Sequence, residues 1–234
     1  MKTIGTKHPM IFGTVLFFVT ILAAGVLSAV MTSAGMTADA SGAIARIVIA
    51  LILLVLFRDC FHGHPFAGLA AVLPGLVFAA WNLYYHRAAG IPFRTDELML
   101  VVLCSTAPAV YEEVLFRGIL VDRLRKNGQT CLRTMVLSAL LFALVHLTNI
   151  TGLGTVSTLV QTVYAFVIGL LFAAFRLKGC GLGSLMLVHA LIDFTSQIHT
   201  EHPVTTSIPL LVLFAAILAA ASVYAFAVVP KNNE

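Results

Sequence analysis

Apolar stretches of 14 to 24 residues recur eight times along this chain of 234 residues, with short polar or basic connections between them. A bilayer core about 30 Å thick needs about 20 apolar residues in helical form to cross it. Inside lipid, the backbone polar groups of such a segment must be satisfied within the segment itself. The sequence therefore predicts an all-α fold, a polytopic integral membrane bundle of about eight transmembrane helices that forms a single membrane domain over residues 1–234. The expected spans are Met10–Met31, a second stretch that starts near Asp39 and is strongly apolar over Ile44–Phe57, then Phe66–Tyr85, Leu98–Val121, Thr134–Leu147, Val156–Phe175, Leu182–Ile198 and Ile208–Val229. Charged residues make up only 10% of the chain, against about 25% in soluble domains, so an ordinary soluble domain is excluded. No basic stripe recurs on a polar face, so no nucleic-acid partner is expected.

Placement of the basic residues tests the number of spans. With both termini cytoplasmic, ten Lys and Arg fall on the inner side (Lys2, Lys7, Arg58, Arg123, Arg125, Lys126, Arg133, Arg176, Lys178 and Lys231) and two, Arg87 and Arg94, on the outer side. That asymmetry is the one expected of a multi-pass protein, here taken to sit in a bacterial cell membrane. Arg46 and Arg117 lie within spans. The four cysteines are widely spaced and form no C-x-x-C pair, which suits reduced apolar fillers.

The fourth span breaks the apolar pattern. Glu112, Glu113 and Arg117 lie inside it, and three unpaired charges at that depth would cost on the order of 8 kcal/mol on insertion scales. Such residues need partners and mark functional sites. Glu113 and Arg117 are four apart and share a helix face, so they are expected to pair. Glu112 lies about 100° round the helix and is left to face another neighbour. Pro108, four residues earlier, is expected to kink the helix and open space beside Glu112. Polar residues on two other spans look like the partners: His146, followed at i+3 by Asn149, and His189 with Asp193 four residues on. Counted from the basic loops, Glu112, His146 and His189 lie about 12–18 Å deep and can meet in one layer.

A glutamate beside histidines can act as a general base for water. His189 and Asp193 could supply donors to a tetrahedral oxyanion, or Asp193 could orient His189. Glu112, His146 and His189 could instead hold a divalent metal such as Zn2+, with a fourth position left for water. Neither Ser105 nor Cys104 is paired with a base, so water is preferred to a covalent nucleophile.

Glu112-Glu113-x-x-x-Arg117, Phe142-x-x-x-His146 and His189-x-x-x-Asp193 resemble the motifs of the CPBP (CAAX protease and bacteriocin-processing, or Abi) family, which includes the type II CAAX prenyl endopeptidases. The resemblance covers roughly residues 96–198, the expected catalytic core. It implies that Glu112 and His146 activate the hydrolytic water, and that His189 and residue 193 stabilise the oxyanion. Position 193 is often Asn in the prenyl proteases, and an ionised Asp accepts hydrogen bonds without donating any. The family is commonly named as metalloproteases, and a metal-free glutamate mechanism is also argued for members. The implied substrate is a membrane-associated peptide, either a prenylated protein tail or a bacteriocin-type precursor. A proton-coupled transporter and a non-catalytic immunity or scaffold protein are the alternatives, because intramembrane Glu, His and Asp also mark proton relays.

Overall fold

The computed structural model describes residues 5–94, 96–199 and 207–231; Lys2 and most of the expected loop between His199 and Ser207 lie outside them. Among the described residues the fold is helical, with one isolated bridge between Phe93 and His199 in place of any sheet. The elements are α1 (Pro9–Ser33), α2 (Ala38–Leu56), α3 (Leu69–Val72), α4 (Val77–Ala88), α5 (Leu98–Glu112), α6 (Val121–Lys126), α7 (Cys131–Val145), α8 (Ile150–Leu153), α9 (Thr155–Leu177), α10 (Leu182–Gln197) and α11 (Ile208–Val228). A π-helical segment, Glu113–Leu120, joins α5 to α6, so one continuous rod runs from Leu98 to Lys126.

Six rods are long and apolar enough to cross a membrane: Pro9–Ser33, Ala38–Leu56, Leu98–Lys126, Cys131–Gly152, Thr155–Leu177 and Ile208–Val228. The protein is therefore an integral, multi-pass membrane protein. The other two expected spans take different forms. The third is assembled from α3, a 3-10 turn over Leu73–Leu76 and α4, because Pro74 lacks the N–H that a continuous helix would use there. The seventh, α10, has 16 residues and at 1.5 Å per residue reaches about 24 Å, short of a full hydrocarbon core. It packs against α4 and α5. The uncharged stretch expected as a loop over residues 148–155 is mostly helical, continuing α7 through a 3-10 turn into α8.

The basic connections gather at one end of the bundle. Arg123 bridges Asp59 and Asp122, at 3.2 and 3.0 Å. Asn127 donates to the Thr6 carbonyl, and Arg176 donates to the Arg117 carbonyl. Burial opposes ionisation of Asp59, but the Arg123 and Lys126 cations hold its carboxyl below the usual carboxylate range. Next to it, burial pushes the Cys60 thiol up to about 12, with the Asp122 carboxylate adding to the effect. A thiol held protonated is a poor nucleophile, in keeping with a filler. At the opposite end the Arg94 N–H donates to the Ile198 carbonyl, beside the Phe93–His199 bridge.

Two apolar cores fill the bundle. One surrounds α9 and takes Phe78, Met135, Phe172, Val188 and Ile192. The other surrounds the π segment and takes Phe17, Leu53, Phe116, Leu120 and Phe142. The charged residues of the fourth rod lie on the seam between these cores. The position of α10 along that seam depends on Gly181, where an added Cβ would fall on the carbonyl oxygens of His64 and Pro65. Backbone cannot move aside as a side-chain tip can. Gly181→Ala is therefore expected to cost about 1–3 kcal/mol or more, read as a lowered unfolding midpoint in detergent; an unchanged midpoint would mean that the loop at residues 64–67 does not fix α10.

Candidate active site

The site is built from the junction of α5 and the π segment, the C-terminal end of α7 and the middle of α10. The winding widens from Glu113 onward, so the irregularity expected at Pro108 falls beyond Glu112 instead; Pro108 itself lies within α5. A π segment is rare and frequently marks a functional site. Here all eight of its residues, Glu113 to Leu120, are buried.

Glu113 Oε1 lies 3.0 Å from Arg117 Nη1, and both side chains are wholly buried. The pairing expected from their spacing is therefore present. The same Glu113 oxygen accepts a hydrogen bond of 2.9 Å from His189 Nδ1. Glu113 thus fixes the ring of His189, a task that the sequence offered to Asp193. Asp193 Oδ2 is instead on the other side of the ring, 3.8 Å from Nε2, beyond hydrogen-bond length. The i, i+4 spacing places Asp193 one turn along α10, whereas Glu113 reaches the ring from another rod.

The Arg117 guanidinium lies 4.1 Å over the ring of Phe142, and 5.6 Å from the ring of Phe172. Those two rings come from the two apolar cores, so the cation closes the seam between them. None of its nitrogens has hydrogen-bond alignment with a protein acceptor. Charge and the negative faces of the rings hold it.

Glu112 differs from its neighbour. Its side chain is 21% exposed, and Oε2 is 3.7 Å from His189 Nε2. It makes no hydrogen bond among the described residues, which leaves both oxygens open to a water or a substrate. The geometry separates the two carboxylates as their spacing led one to expect: Glu113 pairs with Arg117, and Glu112 faces a different neighbour.

His146 starts the 3-10 turn after α7, and its Nδ1 donates to the Phe142 carbonyl at 2.7 Å. That bond makes Nδ1 the donating nitrogen, and no hydrogen bond engages Nε2 among the described residues. Its ring is 4.8 Å from the ring of Phe142, and the His189 ring is 6.2 Å from the same phenylalanine. One aromatic side chain therefore separates the two histidines. Asn149 donates to Gln161 Oε1 at 2.9 Å and so ties the His146 turn to α9.

Sequence reasoning missed Gln161, Phe172 and the Glu113–His189 bond. The two acceptor–donor pairs join residues on different rods, and no local spacing signals them. Nor are Glu112, His146 and His189 gathered as three metal ligands: among the described residues no three His, Cys, Asp or Glu side chains converge on a metal-sized site. His189 Nδ1 is already committed to Glu113, and Nε2 faces two carboxylates.

A sequence model of the family described as Rce1-like, type II CAAX prenyl endopeptidase, matches residues 94–195, somewhat under half of the chain. The match begins just before α5 and ends within α10, so it encloses every residue of the site. No curated protein and no solved structure matches this chain.

Proposed function

Because residues 94–195 match the model of the Rce1-like family of type II CAAX prenyl endopeptidases, we propose that the protein is an intramembrane endopeptidase in which Glu112 activates water to cut a membrane-associated peptide. The observation that carries this reading is the partly exposed, unbonded Glu112 carboxylate, 3.7 Å from a histidine that a buried glutamate holds in place. The family match is the ground for naming a peptide bond as the target.

Glu112 takes a proton from a water molecule held between it and His146 Nε2. The hydroxide adds to the carbonyl carbon of the scissile peptide bond, and the carbonyl oxygen becomes an oxyanion. His189, doubly protonated with Glu113 on one nitrogen, presents its Nε2–H to that oxyanion. The intermediate then collapses: the C–N bond breaks, Glu112 returns its proton to the leaving amine, and the new carboxylic acid gives up its proton to that amine, so that a carboxylate and an ammonium group depart. Glu113 and Arg117 take no proton; they position His189. Among the described residues no three ligands converge on a metal-sized site, so no step here is routed through a metal ion.

The substrate class is a prenylated tail or another peptide already in the bilayer, which can reach the site by lateral diffusion. The basic end of the bundle faces the cytoplasm in this reading, in line with the bias of Lys and Arg to inner loops, and the membrane is a plasma membrane. The experiment is incubation of detergent-purified protein with a farnesylated C-a-a-X peptide and its unprenylated counterpart, followed by mass spectrometry. Hydrolysis of the farnesylated peptide, retained in the presence of a strong chelator, is expected. Intact peptide after prolonged incubation with folded protein would return weight to a scaffold role, and chelator-sensitive cleavage would overturn the metal-free chemistry.

A further inference from the structure

Arg46 is an intramembrane cation that the proposed chemistry does not use. It lies nine positions into α2, a helix of mean hydropathy 2.2. Arg117 and Arg123 each have a carboxylate within 3.2 Å. Arg46 has none: it forms no ion pair among the described residues, and its one hydrogen bond runs from Nη1 to the Gly42 carbonyl of its own helix, at 3.2 Å. A charge at such depth costs about 2.5–3.5 kcal/mol on insertion scales and by default marks a functional position.

Its place relative to Glu112 follows from how α2 meets the fourth rod. Near the start of α2 the Asp39 carbonyl lies 3.9 Å from Cys104 Sγ in the first half of α5, and past the far end of α2 Asp59 meets Arg123, near the end of the fourth rod. The two rods therefore run side by side in the same direction, with a nearly constant offset in sequence. That register brings Arg46 level with Tyr111, the residue before Glu112. The Tyr111 phenol shares a hydrogen bond of 2.7 Å with Thr20 Oγ1 on α1. By that register the cation without a carboxylate lies beside the residue preceding Glu112, where α1, α2 and the fourth rod pack together.

We propose that Arg46 anchors the free C-terminal carboxylate of the tail substrate. This rests on the endopeptidase reading. A C-a-a-X tail ends three residues after its prenylated cysteine, so any bond cut within it lies within about 10 Å of the terminal carboxylate. The planar guanidinium is suited to bidentate pairing with a carboxylate. Its long stem lets the head leave the Gly42 carbonyl without a change in the helix. A substrate bound in this way brings the missing counter-charge with it, so the cost of the unpaired cation in the empty protein is relieved on binding.

The test is binding, and so does not depend on cleavage. A dansylated farnesyl-Cys tetrapeptide with a free carboxylate, and the same peptide amidated, are titrated into full-length Glu112→Gln protein in zwitterionic nanodiscs. The free acid is expected to bind about tenfold or more tightly than the amide, as for a hydrogen bond to a charged group. Adding Arg46→Gln is expected to bring the ratio near one, and Arg46→Lys to keep part of it. The ratio does not depend on how much protein is folded. Equal binding of acid and amide overturns the proposal, as does a preference that survives Arg46→Gln. If Arg46 instead holds a lipid phosphate, Arg46→Gln lowers co-purified anionic lipid and leaves the acid-to-amide ratio alone, which also overturns it. Failure of the endopeptidase reading would appear in the cleavage assay, separately from this ratio.

Discussion

Arg117→Met is expected to lower the unfolding midpoint of the solubilised protein by the equivalent of about 3–5 kcal/mol, the usual cost of removing one partner from a buried ion pair. Methionine has similar length and no charge, so the apolar space between Phe142 and Phe172 stays filled. The loss is electrostatic: Glu113, wholly buried, keeps only His189. The double variant Glu113→Gln/Arg117→Met removes both charges and is expected to recover much of that loss, because a buried pair replaced as a unit is often close to neutral. It is not expected to recover activity, since glutamine at 113 no longer holds His189 with a charge. Thermal unfolding of the single and double variants, followed by tryptophan fluorescence, measures the difference. Equal midpoints in the two variants would show that the pair adds nothing to the fold.

That pair was legible in the sequence because helical spacing is local: residues four apart share a face whatever else the chain does. The approach of Glu112 and Asp193 to His189 was legible too, since depth along a rod can be counted from the basic loops. Partners across rods are different. Glu113 and His189 are 76 positions apart, and which of Glu113 or Asp193 fixes the imidazole depends on how α10 is rotated against the π segment. That rotation is set by packing, including the close approach at Gly181, which carries no signal in hydropathy. Asn149 was picked out for sharing a face with His146, yet its hydrogen bond goes to Gln161 on a neighbouring rod.

The position of the helix irregularity was also out of reach. Proline at 108 removes one donor, and the surrounding helix tolerates the loss; the wide winding occurs where eight consecutive residues are all buried. The broken third rod is a like case. Its length and apolarity resemble a straight span, while Pro74 and a glycine with positive φ at its start, Gly68, divide it.

The central claim is that one carboxylate of the adjacent pair does the chemistry and the other holds the frame, and Glu112→Gln tests it most directly. Glutamine keeps the shape of Glu112 and removes its capacity to take a proton. Positioned general bases contribute about 10²–10⁴-fold, so kcat for the farnesylated peptide is expected to fall about a thousandfold with KM little changed. The unfolding midpoint should stay within the equivalent of about 0.5 kcal/mol, because Glu112 is partly exposed and its nearest charged contact is 3.7 Å away. The measurement is initial-rate cleavage with wild type, Glu112→Gln and Glu113→Gln, each checked by thermal unfolding. A folded, inactive Glu112→Gln protein beside a destabilised Glu113→Gln protein is the predicted outcome. Cleavage at the wild-type rate by Glu112→Gln would contradict the account.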